Sequence, residues 1–233
     1  MIAGASAAAG AAVLAAGVAA HGAFHRNSPV FGRVLTRLPI TPGTKTVSLT
    51  FDDGPNPDAT PVILDALRAR GAVATFFFLG KHVERWPEIV AQAAADGHQL
   101  GNHGYYHRKL HFKSPAYVRD DLTRGKAAIE RAANASPTHF RAPHGFRSPW
   151  VTSIARRLGE RAVGWSFGVW DTDLPGAEAI AERTVTRATD GSILLLHDGD
   201  GYDPRGDRMQ TAHAVAPIVD QLLARDFHFT RLP

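Results

Sequence analysis

The chain has 233 residues, of which 44% are hydrophobic and 21% are charged, a composition typical of one globular domain with a sizeable core. It contains no cysteine, which excludes disulfide bonds, thiolate metal ligands and a cysteine nucleophile. The formal net charge is +4 at pH 7, but no dense run of lysine and arginine marks a nucleic-acid-binding arm, so we expect no nucleic-acid partner.

The first twenty residues carry no charged side chain and consist mostly of alanine and glycine. Such a segment is typical of a secretory signal peptide or of a weak membrane anchor. No basic residue precedes it, which weighs against a signal, and Arg26, Arg33 and Arg37 follow it, which for an anchor favours a cytoplasmic location of the remaining chain. We predict a signal peptide or anchor over residues 1–24, with any membrane association through residues 1–20, and export to the periplasm, the cell exterior or the membrane surface that faces the cell wall. The alternatives are a misassigned start or a disordered tail on a cytoplasmic protein.

Residues 25–45 contain three proline breakers and are predicted to form a linker. From residue 46 onward, apolar runs alternate with helical periodicity. The predicted strands are Thr46–Phe51, Ala72–Leu79, His98–Asn102, His139–Arg141, Arg161–Phe167, Ser192–Leu196 and Phe227–Leu232. The predicted helices are Thr60–Arg70, Pro87–Asp96, Pro115–Ala133, Pro149–Leu158, Ala177–Thr189 and Thr211–Arg225.

This alternation predicts an α/β fold with parallel strands and crossover helices, because about seven strand–helix units fit into this length. Strand segments such as "ATFFFLG" and "SILLLH" are continuous apolar runs, which is typical of a sheet covered on both faces. The pattern is compatible with either an open sheet or a closed barrel. No second domain is indicated, and residues 46–233 are predicted to form a single domain.

Polar side chains recur where the predicted strands end, and active sites of parallel α/β folds lie at the carboxyl ends of strands. The residues concerned are Asp52, Asp53, His103, His107, Arg141, Asp171 and His197. One such position means little, but this repetition predicts a site at one end of the sheet.

The first strand ends in two adjacent carboxylates, Asp52 and Asp53, followed by Gly54-Pro55. Neighbouring residues on a strand point to opposite faces, so both can reach one site only if the strand ends there. His103 and His107 have the i, i+4 spacing that places two imidazoles on one face of a helix, although the flanking glycines disfavour a helix. Two histidines and one carboxylate are a typical catalytic zinc set.

The motifs "TFDDGP", "ATFFFLG", "GNHGYYH", "RAPHG" and "SILLLHD" occur in this order between Thr46 and Pro233. They resemble the successive motifs of the NodB-like polysaccharide deacetylases, carbohydrate esterase family 4. The resemblance implies a distorted barrel of seven β/α units, (β/α)7. It also implies a metal-dependent hydrolase that removes N-acetyl groups from amino-sugar polymers such as peptidoglycan or chitin-like glycans.

Carried over by position, the resemblance implies that Asp53, His103 and His107 bind a divalent metal, usually zinc. It makes Asp52 the general base for the attacking water and His197 the general acid for the leaving amine. These roles agree with the chemistry, because amide hydrolysis needs an activated water, a polarised carbonyl and a proton for the departing nitrogen.

The resemblance also implies supporting residues. Arg141 would orient Asp52, since an arginine beside a carboxylate keeps it ionised and in place, and Asp171 would orient His197. The substrate-binding positions that it implies are Pro143, His144 and Leu195. Of these, Leu195 would contact the acetyl methyl group, and His144 stands where the family often has an aromatic residue, with its backbone N–H available to an oxyanion.

Other positions depart from the family pattern. Gly104 stands where a serine or threonine usually follows the first histidine, so a hydrogen bond that braces the metal loop is expected to be missing. In the family's Asp-x-x-Asp-Trp motif, Gly168 and Thr172 replace the first aspartate and the tryptophan. Asp173 therefore competes with Asp171 as the partner of the general acid.

Two alternatives come from other functional classes. The segment "GWSFG" matches a serine-hydrolase nucleophile elbow, and Ser166, Asp171 and His197 occur in the order of that class. The elbow requires an immediate helix, however, and the next helical pattern begins only near Ala177. A non-catalytic glycan-binding module is the second alternative, against which the complete set of acid, base and metal ligands argues.

Overall fold

The computed structural model describes residues 2–233, with side chains from residue 10 onward. The helices are α1 (Ile2–Phe24), α2 (Ala59–Arg68), α3 (Gly80–Val83), α4 (Pro87–Ala95), α5 (Pro115–Ala133), α6 (Val151–Arg157), α7 (Ala177–Arg187) and α8 (Met209–Leu223). Among these described helices, none combines the length and the apolar character needed to cross a membrane. Short 3-10 turns lie at Pro143–Gly145 and Asp171–Asp173.

Within residues 2–233, eight strands form one sheet: β1 (Lys45–Asp52), β2 (Ala74–Phe78), β3 (Gln99–Asn102), β4 (His139–Phe140), β5 (Arg161–Ala162), β6 (Phe167–Gly168), β7 (Ser192–His197) and β8 (Phe227–Phe229). Every strand pairing is parallel. The order across the sheet is β5-β4-β3-β2-β1-β7-β6, and β8 pairs with the first part of β1. Parallel pairing places all the carboxyl ends of the strands at one edge, where the candidate site lies.

Strand β1 shows how the sequence divides the two faces of the curled sheet. Val47, Leu49 and Phe51 alternate along the strand and pack, fully buried, in the main core beneath the outer helices. Thr50 and Asp52 occupy the alternate positions on the inner face, where both contact the side chain of Arg141. The inner face of the sheet therefore carries the polar groups toward the site.

A smaller apolar core fills the inside of the barrel below those polar groups. It consists of Leu38, Phe77, Val163, Ile193 and Leu232. A Cβ atom added to Gly101 would lie 2.4 Å from the ring of Phe77, so only glycine fits at this point of β3.

Residues 25–45, predicted to be a linker, lie against the barrel. The N–H of Leu35 donates to Ala162 O, and the N–H of Gly164 donates to Leu35 O. The N–H of Leu38 donates to Gly191 O next to the start of β7. The segment 35–38 thus pairs with the chain after β5 on one side and with the chain before β7 on the other, and fills the gap in the barrel wall.

The predicted parallel α/β fold and the distorted seven-unit barrel are confirmed. The predicted strand over 161–167 is wrong in its length: the structure has the two short strands β5 and β6, separated by the residues that pair with segment 35–38. The apolar run alone does not show this interruption, because Val163 is buried in the inner core as a strand residue would be.

Candidate active site

The candidate site lies at the carboxyl edge of the sheet, in a cleft of about 780 Å³. Asp52 ends β1 in register with His197 at the end of β7, so both side chains belong to the inner face. Asp53 follows the strand with a φ of 78°, which turns its side chain back toward the same cleft. This backbone turn explains how two adjacent acids reach one site despite strand alternation.

Asp53, His103 and His107 form the cluster that could hold a metal ion. Their candidate ligand atoms all lie within 4.8 Å of one another, and all three residues are buried. The Asp53 Oδ1 atom lies 3.3 Å from His103 Nε2 and 3.1 Å from His107 Nε2. That buried oxygen has no hydrogen-bond partner, and two imidazole nitrogens with one carboxylate are a donor set that suits a divalent cation such as zinc.

The protein orients His103 through its second ring nitrogen. His103 Nδ1 donates to the backbone carbonyl of Arg141 at 2.8 Å, which leaves Nε2 free to face Asp53. Burial by itself raises the pKa of Asp53, but the neighbouring His107 and His103 outweigh it and hold that pKa well below its usual range. The carboxylate is therefore anionic, as a metal ligand must be.

Asp52 is held by a fully buried arginine. Arg141 Nη1 donates to Asp52 Oδ1 at 2.7 Å and to Thr50 Oγ1 at 2.8 Å, and Nη2 donates to the carbonyl of Gly164 at 2.9 Å. Its guanidinium carbon lies 4.2 Å from the centroid of the Phe77 ring. The other oxygen of Asp52, Oδ2, lies 3.8 Å from His103 Nε2 and so faces the Asp53–His103–His107 cluster.

His197 and Asp171 form a second charged pair across the cleft. Asp171 Oδ1 lies 3.0 Å from His197 Nδ1, and its Oδ2 accepts from the His197 backbone N–H and from Thr211 Oγ1. Burial lowers the pKa of His197, but Asp171 outweighs it and raises that pKa to about 9. Asp173, the competing candidate, is exposed at the cleft rim, and it is Asp171 that contacts the histidine.

The three expected substrate positions are placed differently from one another. Leu195 lines the cleft beside Gly168, and His144 lines it with an exposed side chain whose ring centroid lies 4.6 Å from that of His107. Pro143 is buried in its 3-10 turn and does not line the cleft.

Backbone strain is concentrated at this site. Asp53, His107, His144 and Trp170 line the cleft with φ values between 56° and 78°. Non-glycine residues adopt this region rarely, and such residues gather where the surrounding structure holds a functional side chain in place.

Two buried residues to which the sequence analysis gave no role, His82 and Asp198, hold the peptide unit after Asp53. His82 Nδ1 donates to the Asp53 carbonyl at 2.9 Å, and the Gly54 N–H donates to Asp198 Oδ1 at 3.1 Å. Asp198 follows the last motif histidine directly, which is the one sequence signal that could have pointed to it. His82 lies in α3 and has no such signal.

The loop that carries His103 and His107 is braced from helix α5 and from strand β3. Asp121 Oδ1 accepts from the backbone N–H of Tyr106 at 3.1 Å, and Asn102 Oδ1 accepts from the N–H of Gly104 at 2.9 Å. A Cβ atom at Gly104 would lie 2.3 Å from Asp121 Oδ2. The expected loss of a brace at Gly104 is therefore offset by side-chain contacts to the loop backbone.

Ser166, the nucleophile of the alternative interpretation, is engaged by the main chain. Its hydroxyl donates to the carbonyl of Thr36 at 2.8 Å and accepts from the N–H of Ile193 at 3.0 Å. Among the described hydrogen bonds, none joins Ser166 to His197. The hydroxyl belongs to the closure of the barrel wall and not to a catalytic pair.

Comparisons with known proteins agree with this geometry. The family model for polysaccharide deacetylase matches residues 40–163. A chitooligosaccharide deacetylase of Azorhizobium caulinodans is 35% identical over 83% of this chain and 96% of its own length. A peptidoglycan-N-acetylglucosamine deacetylase of Bacillus cereus is 37% identical over 79% of this chain and 85% of its own.

Solved structures give the same answer. The crystal structure of a peptidoglycan N-acetylglucosamine deacetylase has a TM-score of 0.79 and 30% sequence identity, covering 86% of this chain and 91% of that one. The matched length, the fold and the motif order together show that the chain belongs to the polysaccharide deacetylase family, the NodB-like enzymes of carbohydrate esterase family 4.

Proposed function

We propose that this protein is a divalent-metal-dependent N-deacetylase that releases acetate from N-acetylglucosamine residues of a glycan. The observation that supports this best is the placement of Asp52 between two groups. One is the buried Asp53–His103–His107 cluster, and the other is the His197–Asp171 pair on the neighbouring strand end. Two relatives, 35% and 37% identical to this chain, are a chitooligosaccharide deacetylase and a peptidoglycan-N-acetylglucosamine deacetylase.

Asp53, His103 and His107 are the residues that would hold the metal, and the nitrogen-rich donor set favours zinc. When bound there, such an ion acidifies water and polarises a carbonyl group. The chain's part is to present one carboxylate oxygen and two imidazole nitrogens, with His103 already oriented by the carbonyl of Arg141.

Asp52 is proposed as the general base. Its Oδ1 accepts from the buried Arg141, whereas Oδ2 faces the ligand cluster and is free to accept a proton from the attacking water. The ion pair with Arg141 holds the Asp52 carboxylate in a single orientation, so the base is positioned before substrate binds.

His197 is proposed as the general acid. His197 Nδ1 donates a hydrogen bond to Asp171, which leaves Nε2 directed into the cleft. The raised pKa of His197 keeps its ring protonated at neutral pH. The imidazolium can then give its proton to the departing amine nitrogen. Leu195, two residues earlier on the same inner face, is proposed to contact the acetyl methyl group.

The decisive experiment is metal analysis of the purified protein together with acetate release from a panel of N-acetylated glycans. We expect about one zinc-like ion per chain, release of acetate from N-acetylglucosamine oligomers, and loss of release after chelation. Full activity in chelated protein would favour the serine mechanism, and no release from any glycan would favour a non-catalytic binding module.

We also propose that the protein is exported, with residues 1–24 as its signal or anchor. The uncharged helix α1 supports this, as do relatives that act on peptidoglycan. N-terminal sequencing of the mature protein from fractionated cells is the test. A cytoplasmic protein with residues 1–24 intact would contradict it.

A further inference from the structure

A patch of aromatic side chains leads away from the ligand cluster along one wall of the cleft. From His107, ring contacts run to His144 at 4.6 Å and on to Phe146 at 6.0 Å between centroids. Phe146 contacts both Phe24 and His111, at 5.7 and 5.1 Å. The aromatic patch, as we call it, consists of His111, Phe112 and Phe146, joined by Phe24 in a chain that keeps residues 1–24, and it is continuous with the cleft because Phe146 lines the cleft.

The aromatic patch is open to solvent at its far end. Phe112 is 79% exposed and Phe24 is 49% exposed, although both make aromatic contacts with other members of the patch. Large exposed aromatic groups that cluster beside a cleft are typical of a binding surface and not of a core. A pyranose ring presents a face of C–H groups, which can stack on such side chains.

The wall that carries the aromatic patch is also cationic. Lys109 Nζ lies 5.8 Å from the ring centroid of Phe146, and the Arg26 guanidinium carbon lies 5.3 Å from that of Trp165. Both cations are on exposed residues. Burial, and then the positive charge of Lys109, lower the pKa of His111, which is consistent with a positive potential here.

We propose that the aromatic patch binds the sugar rings next to the N-acetylglucosamine that is deacetylated, and that Lys109 and Arg26 favour a strand bearing carboxylates. The ligand is thus an acidic N-acetylated glycan, such as a peptidoglycan strand with its lactyl and peptide carboxylates, in preference to neutral chitooligosaccharide. This rests on the proposed function, whose site forms the other end of the same cleft. Aromatic stacking supplies affinity, and the cations supply selectivity.

The test measures binding in an Asp52→Asn background, so that substrate is not consumed. Chitotetraose is compared with a tetrasaccharide of alternating N-acetylglucosamine and N-acetylmuramic acid by calorimetry. We expect Phe112→Ala to weaken both by about five- to ten-fold, since it removes a stacking face. Lys109→Gln should weaken the acidic ligand alone, by about two- to five-fold as for one exposed ion pair, and high salt should remove the difference.

Matched controls are available at the opposite end of the barrel. Lys45 lies over the ring of Phe227 as Lys109 lies over Phe146, and Leu223 is an exposed apolar residue on α8. Lys45→Gln and Leu223→Ala should leave both affinities unchanged. Unchanged affinities in Phe112→Ala and Lys109→Gln would overturn the proposal.

Two further outcomes separate this proposal from others. If the two variants lose binding to anionic vesicles while glycan binding is unchanged, the patch is a membrane surface and the proposal is wrong. If parent protein with Asp52 restored releases acetate from both glycans while the two variants bind as the parent does, the proposed function stands and the patch proposal fails. Absence of acetate release from both glycans, with variant-sensitive binding, would refute the proposed function alone.

A second, independent observation concerns the peptide unit that joins Asp53 to Gly54. Its carbonyl accepts from His82 and its N–H donates to Asp198, and both of these side chains are buried. Asp198 is held in turn by Thr60, whose hydroxyl donates to Oδ2 at 2.7 Å. The two side chains therefore hydrogen-bond to both polar groups of one peptide unit, the carbonyl of Asp53 and the N–H of Gly54.

That peptide unit determines where the Asp53 carboxylate points. The φ of Asp53 is 78°, which costs free energy for a non-glycine residue and persists only if neighbouring groups hold the backbone. We infer that His82 and Asp198 are positioning residues that aim the Asp53 carboxylate at His103 and His107. They act on metal affinity through the backbone and touch neither substrate nor metal.

The test is zinc affinity, measured by competition with a chromogenic chelator on purified variants. His82→Ala should weaken zinc binding by about 10- to 100-fold, the range for residues that support metal ligands, whereas His82→Asn, which can still donate, should recover part of it. Asp198→Asn keeps an acceptor oxygen, so it should lose less than Asp198→Ala.

His98 provides the matched control. It is also a buried histidine that bonds to backbone, accepting from the N–H of Ala74 at the start of β2, far from the site. His98→Ala should lower the melting temperature without changing zinc affinity. Wild-type zinc affinity in folded His82→Ala and Asp198→Ala, or in the milder Asn variants where those do not fold, would refute the inference.

Discussion

The two walls of the cleft differ in how they are built. The inner wall, formed by the ends of β1, β3, β4 and β7, carries buried and paired charges such as Arg141 with Asp52. The outer wall carries exposed side chains, including Phe112, Tyr202 and Trp170, the last 68% exposed. Charges in a water-poor site interact strongly and stay in one geometry, whereas exposed groups remain adaptable. We therefore propose that the inner wall performs the chemistry and that the outer wall selects the glycan.

The largest effects should come from the two adjacent acids of the inner wall. Asp52→Asn removes the proton acceptor but not a metal ligand, so turnover should fall by about 10²–10⁴-fold with metal content near normal. Asp53→Asn replaces an anionic ligand by a neutral one, so metal should be lost, and added zinc should restore some activity. Metal content and turnover of both variants, measured together, check this. Metal loss in Asp52→Asn alone would reverse the assignment.

His197→Ala should keep the metal and the fold while turnover on an N-acetyl substrate falls by about 10²–10⁴-fold. The loss should be smaller on an activated acetyl ester, because that leaving group needs no proton. Asp171→Asn serves as the graded comparison, since it keeps the ring but removes its anionic partner. Near-normal turnover of His197→Ala on the amide would remove this residue from the mechanism.

Behind the inner wall, the buried Glu160 should make the free energy of unfolding depend on pH. It is buried, accepts from Asn102 Nδ2, and has Lys126 and Glu130 as its charged neighbours; burial raises its pKa to about 8. The unfolded chain releases this proton near pH 4.5 and the folded one near pH 8, so stability falls as pH rises between these values. The fall is up to about 5 kcal/mol, from 1.36 kcal/mol per pKa unit.

Glu160→Gln is the matching variant, because it keeps the shape and an acceptor oxygen without the charge. Denaturant unfolding at pH 5 and pH 8 should show a smaller loss of stability in Glu160→Gln than in the wild type, and the pH dependence that remains belongs to other groups such as His197. Equal pH dependence in the two proteins would mean that Glu160 does not titrate in this range.

The smallest effect belongs to the outer wall. Trp170→Asn should raise KM for glycan oligomers by about two- to five-fold and leave kcat within two-fold, because an exposed ring contributes binding and no chemistry. Asparagine is chosen because residue 170 has a φ of 59°, a conformation that asparagine tolerates better than alanine. A large fall in kcat would show that Trp170 supports Asp171, and it would contradict the assignment of chemistry to the inner wall alone.

Sequence reasoning reached the inner wall because strand alternation and motif order determine it. In the register of β1, β4 and β7, the positions of Asp52, Arg141 and His197 all face the inside of the barrel. Because side chains alternate between the two faces of a strand, the sequence predicts that these three meet in one site. The outer wall depends on loops and on residues such as Phe24, which come from distant parts of the chain and leave no periodic signal. His82 was missed for a similar reason, since its role is a single hydrogen bond to backbone.

Segment 35–38, which fills the gap in the barrel wall, has a consequence for the order in which the chain folds. Arg37 bonds to Thr189, 152 residues further along the chain. The barrel wall can close only after β7 has been synthesised, because segment 35–38, made early, pairs with the chain at the start of β7, made late. High contact order slows folding and leaves apolar surface open in the meantime. A nascent chain that stays unfolded until nearly complete is also one that a secretion channel can thread.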